Sequence, residues 1–155
     1  MTRRVLLASL LPSLATAGPL QTPVAREMAH RIFDKANELR RARGAMNLEW
    51  SDAIADCAAR QCERKEILRF EGHDDPELGD VSQRLSRFGV PWARCAENLF
   101  EMRGYDDPVN FAIVFWWYSA GHQANMLNPA FRRTGVAVTV DADERFFVTQ
   151  IFVEG

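Results

Sequence analysis

Two short runs of alternating hydrophobicity constrain this chain more than any other feature. Gly135 to Val140 carries Val136, Val138 and Val140 at every second position, and Phe146 to Val153 does the same with Phe147, Thr149, Ile151 and Val153. A period of two belongs to strands, whose successive side chains point to opposite faces. Asp141-Ala142-Asp143-Glu144 is the turn between them, so the pair reads as an antiparallel hairpin.

Upstream the period changes to three and four. Val24 to Arg43 reads as a helix with Val24, Met28, Ile32, Phe33, Ala36 and Leu39 on one stripe and Gly44 as its stop. Arg40-Arg41-Ala42-Arg43 reads as a solvated last turn that complements the helix dipole rather than as a basic binding patch. His30 reads as a surface residue. Met46 to Trp50 is an extended link. Ser51 or Asp52 caps a second helix to about Phe70, with Ile54, Ala58, Gln61, Lys65 and Leu68 on one stripe. Gly72 and Pro76 break it. A short third helix spans about Val81 to Phe88, and Cys95 to Met102 reads as a strand.

Asp107-Pro108 pairs an N-cap with a proline at the first helical position. The helix it opens buries Val109, Ala112, Ile113 and Trp116. Phe115, Trp117 and Tyr118 make it apolar nearly all round, as in a core or groove-lining helix. It runs into Ser119-Ala120-Gly121-His122, read as a turn, and a short helical piece follows to Leu127. A histidine after glycine at a helix mouth is placed to face a cleft. The plain alternative is a capped helix end with a surface histidine.

Residues 1–17 read as an export signal: Arg3 and Arg4, an apolar run from Val5 to Leu14, and Ala15-Thr16-Ala17 as the cleavage site. The apolar run is too short to span a bilayer. The two arginines leave Sec and twin-arginine export both open. Residues 18–28 form an N-terminal segment and 29–155 a single domain. No later run is a membrane-span candidate, so no integral membrane segment is expected after cleavage, and the location is secreted or periplasmic. A net charge of −2 excludes a nucleic-acid partner as the default reading.

Exported chains form disulfides, and three cysteines leave one over. Cys57 and Cys62 lie about 7.5 Å apart along one helix, beyond disulfide reach. Any internal bridge then uses Cys95. Cys62 shares a face with Ala55 and Ala58, which favours Cys62–Cys95; three unpaired thiols are the alternative.

Taken in order, a family pattern emerges. Asn37-x-x-Arg40-x3-Gly44-x3-Leu48-x-Trp50 opens it, followed by Ala58, His73-Asp74-Asp75-Pro76 and Arg84. Ala96-Glu97-Asn98-Leu99 comes next, then Trp116-x-x-Ser119-x-Gly121-His122-x-x-Asn125-x-Leu127. Gly135-Val136-Ala137-Val138 and Thr149-Gln150-Ile151-Phe152 close it. This resembles the CAP superfamily of cysteine-rich secretory proteins, venom antigens and pathogenesis-related proteins, in its short exported bacterial branch. The resemblance covers about Ala29 to Phe152. It implies an α+β fold, a three-layer α-β-α sandwich with a central antiparallel sheet and a polar cleft at one end. His73, Glu97 and His122 fall on three of the four cleft positions. Ser119 stands where many members carry an acid. Asn98, Asn125 and Gln150 fall on structural positions of the pattern.

Two neutral imidazoles and a carboxylate are a zinc-type donor set with an open position. Here the set rests on the resemblance, because the spacing 73, 97, 122 is no contiguous metal motif. His73 and His122 are the candidate ligands of a divalent metal such as zinc. Glu97 is either a ligand or a group that orients an imidazole. A polar cleft without metal is the alternative. Ser119 and His122 as nucleophile and base lack an orienting third member. The function expected is an exported binding module for a peptide, lipid or cell-envelope component. The other class is a metal-dependent, peptidase-like hydrolase with Glu97 as its catalytic group.

Overall fold

The computed structural model describes residues 21–104 and 106–155. The expected export signal at 1–17 lies outside these residues. Helix α1 spans Pro23–Ala42, α2 Asp52–Leu68, α3 Val81–Arg87, α4 Pro108–Trp117 and α5 Ala120–Leu127. Strands β1 (Glu49–Trp50), β2 (Arg94–Arg103), β3 (Arg133–Val140) and β4 (Arg145–Glu154) form one sheet in the order β1-β3-β4-β2. The β3–β4 hairpin is antiparallel, as its alternation requires, and β2 adds antiparallel to β4. The expected extended link supplies one further strand: Glu49 and Trp50 pair parallel to Arg133 and Thr134. The sheet is therefore mixed, not wholly antiparallel.

Both faces of the hairpin are apolar, so both must be covered. Val136, Val138, Val148 and Phe152 pack beneath α1, α4 and α5; Ala137, Phe147, Ile151 and Val153 pack beneath α2 and α3. These two clusters make the three-layer sandwich. Helix α2 approaches β3 closely, because Gly135 offers no side chain against its first turn. A Cβ built there falls 2.1 Å from the Ala55 nitrogen.

Three readings of the helices change. The buried stripe of α1 is Ala25, Ala29, Ile32, Ala36, Asn37 and Arg40, while Val24 is exposed. Arg40 is no solvated end residue: it is fully buried and donates to four carbonyls, those of Met46, Met126, Asn128 and Phe131, at 2.7 to 3.3 Å. Ser119-Ala120-Gly121-His122 is not a turn, because Ser119 is the N-cap of α5 and the other three residues begin it. The buried half of α4 is as expected, and its outer half leaves Phe111, Val114, Phe115 and Tyr118 exposed.

All three cysteines are free thiols, so the expected Cys62–Cys95 bridge is not made. Cys62 faces the sheet, 3.2 Å from Thr149 Oγ1 and 3.5 Å from the Ala137 carbonyl. Burial pushes its thiol pKa up to about 12.

Candidate functional site

The site is built around two adjacent residues of the edge strand β2. Because side chains alternate across a strand, Glu97 and Asn98 point to opposite layers. Glu97 is buried on the α2–α3 side, and its Oε1 lies 3.0 Å from His73 Nδ1. Asn98, fully buried on the other side, donates to the His122 carbonyl at 3.0 Å and accepts from Asn125 at 2.9 Å. One histidine from each helical layer is thus tied to β2.

His73 lies in the irregular segment between α2 and α3. Its carbonyl accepts from Gln61 at 3.0 Å and from Arg84 Nη1 at 2.9 Å. Arg84 also reaches Glu97 Oε2 through Nη2. Lys65 closes the start of the segment, donating to the Phe70 and Gly72 carbonyls at 2.9 and 3.0 Å. Asp75 closes its far side. Its buried carboxylate takes Arg64 at 2.6 and 2.8 Å and the backbone N–H groups of Glu77 and Leu78 at 2.8 Å. Charge-assisted bonds of this kind are the strong ones.

The Arg64 bond is the main reason that the Asp75 carboxyl is held well below the usual carboxylate range. A depressed folded-state pKa means that the unfolded chain takes up protons first as pH falls. Stability from Asp75 is therefore present above about pH 5 and is lost toward the acid side. Asp75→Asn is expected to cost about 2–3 kcal/mol at pH 7. It should also flatten the acid limb of a urea-midpoint-versus-pH curve. Equal acid limbs in the two proteins would remove Asp75 as the cause.

Between the histidines lies a cavity of about 240 Å³, floored by Leu99 to Met102 and walled by Lys65, His73, Phe115 and His122. The Phe115 and His122 rings are 5.7 Å apart. Burial, and then the nearby His73, lower the pKa of His122, which favours its neutral form. Its Nδ1 is buried and has no hydrogen-bond partner. A larger cavity, about 350 Å³, lies against α3 between Arg60, Arg64, Leu78, Arg84, Arg87 and Phe88, but holds neither histidine. Three of its four guanidiniums are already paired, with Glu63, with Asp75 and Glu77, and with Glu97.

A model of the cysteine-rich secretory protein family, CAP, matches residues 33–152. The chain belongs to the CAP family. The uncharacterized membrane protein YlbC of Bacillus subtilis is 27% identical over 124 residues, which cover 80% of this chain and 34% of that protein. The SCP-domain structure of an extracellular protein from Bacillus anthracis superposes with TM-score 0.73 at 29% identity, covering 87% of this chain and 44% of that one. An outer surface protein of Borrelia burgdorferi shares the fold, with TM-score 0.76 at 18% identity over 84% of this chain and 94% of its own. The chain thus spans less than half of the length of the first two relatives. Two further proteins of the same fold, NaASP2 and Ac-ASP-7, were crystallised with Zn2+ and with manganese.

The cleft residues of this CAP domain do not converge as one three-membered ligand set. Among the described residues, no group of three His, Cys, Asp or Glu side chains is arranged to hold a metal ion. Both Glu97 oxygens are engaged, by His73 and by Arg84, which leaves the two imidazoles as donors. His73 Nε2 is the ring nitrogen that Glu97 leaves open, and its side chain is 48% exposed. Both imidazoles line the same cavity. Ser119 heads α5 and is not part of the cavity wall. Gln150 is fully buried and donates to Thr134 Oγ1 at 3.3 Å.

Arg84, Gln61 and Lys65 hold the His73 segment, and none of them was a site candidate from sequence. The usable signal was polar residues on helical stripes that face the core. Gln61 and Lys65 share the stripe of Ile54 and Ala58, and each carries a buried hydrogen-bonding head.

Proposed function

We propose that this CAP domain is an exported binding module whose two-histidine cleft takes a divalent metal together with a peptide, lipid or cell-envelope ligand. The observation that carries this reading is the engagement of His73 Nδ1 by Glu97, a buried carboxylate. A carboxylate on one ring nitrogen orients a histidine whose other nitrogen serves as a ligand. Bound zinc would supply Lewis acidity and vacant positions for an incoming donor group. Leu99, Phe100, Met102 and Phe115 suit the less polar part of such a ligand. Export is supported by the leader-like residues 1–17 and by the extracellular protein of Bacillus anthracis.

The hydrolase reading needs a carboxylate free to move a proton. Glu97 has both oxygens committed, and Ser119 stands where a second acid would be needed. Binding is therefore the better-supported function.

Zinc calorimetry near neutral pH tests the reading. Wild type should release heat with one-site behaviour, and His73→Ala and His122→Ala should each lose most of it. His30→Ala is the control. His30 is an exposed residue of α1 that stacks on Trp50 with ring centroids 4.2 Å apart. It should bind like wild type. Equal losses in all three variants, or no heat with any divalent metal in wild type, would remove the metal from the proposal.

A further inference from the structure

We infer that Arg84 is a positioning residue that determines which ring nitrogen His73 presents to the cleft. The side chains of Arg84 and Glu97 are 1% and 2% exposed, and they meet at Arg84 Nη2 and Glu97 Oε2. Arginine only donates, so that oxygen is an acceptor. The other oxygen of the ionised carboxylate is also an acceptor, and it lies 3.0 Å from His73 Nδ1. The hydrogen between them therefore sits on Nδ1. In a neutral imidazole the lone pair then sits on Nε2, the nitrogen left for the cleft.

The same guanidinium holds the main chain of that histidine. Arg84 Nη1 donates to the His73 carbonyl at 2.9 Å and to the Gly79 carbonyl at 2.8 Å. One planar fork thus fixes the position of His73 through its backbone and the direction of its ring through Glu97. Lysine carries all its donors on one nitrogen and cannot span the separate positions that the two guanidinium nitrogens reach. Gln61 also holds the His73 carbonyl, at 3.0 Å, and is equally buried, but among the described residues no hydrogen bond joins it to Glu97. The two residues separate a role in ring orientation from a role in packing alone.

This inference rests on the proposal that His73 is a ligand, but its first test needs no metal. Two-bond nitrogen–proton NMR correlations on the metal-free, nitrogen-15-labelled protein at about pH 8, above the usual imidazole titration, report the tautomer directly. Wild type should show His73 as a single Nδ1–H tautomer. Arg84→Gln should show a mixture, and Arg84→Lys at least partial loss. Gln61→Ala should keep the wild-type tautomer even where its melting temperature falls as far. Should Arg84→Gln not fold, Arg84→Lys carries the comparison. In zinc titrations the Arg84 variants should bind about 10–100-fold more weakly than wild type. An Nε2–H tautomer in wild type, a full Nδ1–H tautomer in Arg84→Lys, or equal tautomer change in Gln61→Ala would overturn the inference. If wild type binds no zinc, the metal reading falls, while the tautomer comparison still decides the role of Arg84.

Discussion

Replacing Gly135 by alanine is expected to remove a large share of the domain's stability. The added methyl would lie 2.1 Å from the Ala55 nitrogen, 2.4 Å from the Ile54 carbonyl carbon and 2.6 Å from the Ala55 Cα, against 3.4–4 Å in ordinary contact. All three are backbone atoms, so no rotamer change relieves the clash. Either β3 or the first turn of α2 must move. Moving α2 opens the cluster that Ile54, Ala58 and Cys62 make with Ala137 and Ile151. Overpacking costs typically about 1–3 kcal/mol where side chains can yield. With backbone on the other side the expected loss is about 3–5 kcal/mol, a large share of the roughly 5–15 kcal/mol that keeps a domain folded. A fall in melting temperature of about 10 °C or more should accompany it. A calorimetric scan showing Gly135→Ala within about 1 kcal/mol of wild type would mean that α2 does not press on β3 as described.

Arg40→Met should cost about as much, for a different reason. The guanidinium is fully buried and has no carboxylate partner among the described residues. Its charge is held by carbonyl dipoles, and the Met126 and Asn128 carbonyls are at the C-terminal end of α5. A cation there is favourable to the helix. Methionine fills the volume but leaves four carbonyls to find other partners, at about 1–3 kcal/mol for each buried group that finds none. Water reaching some of them brings the expected total to about 3–5 kcal/mol. Arg40→Lys should recover part of the loss. Urea denaturation measures the cost, and hydrogen exchange at α5 amides should show the damage concentrated there. Uniform exchange across the domain would point to general loosening instead. Because α5 carries His122, zinc binding should weaken in parallel.

Elements whose partners are near in sequence were legible. The hairpin declared itself through alternation, the caps at Ser51 and Asp107 through their side chains, and α2 through a stripe that included its polar members. The CAP pattern singled out His73, Glu97, Asn98 and His122 without any geometry, and the structure adds that Glu97 meets Arg84 as well as His73. Arg40 was misread because a basic last turn is ordinarily solvated. Three of the four carbonyls that draw it inside come from residues 126–131, far along the chain. The strand β1 was missed because a two-residue parallel pairing has no period to detect. The Cys62–Cys95 bridge failed because helical geometry limits which cysteines can meet, and says nothing of what each thiol faces across a sheet. The extent of α1 was right to within a residue at each end and its buried stripe was displaced: small alanines lie inward against the sheet, and Val24 lies outside.

Both hydrophobic clusters close on β3 and β4, and these two strands follow every helix in chain order. The consequence concerns timing. A chain delivered from its N-terminus presents α1, α2 and α4 before the surface they pack on exists. Short isolated helices are marginal in water, so these segments gain little lasting structure while they wait. Commitment comes only when the hairpin arrives and both layers can dock at once, through contacts between residues far apart in sequence, the kind that slow folding. Such a topology keeps an emerging chain loose until late, the condition that threading through a narrow translocation channel requires.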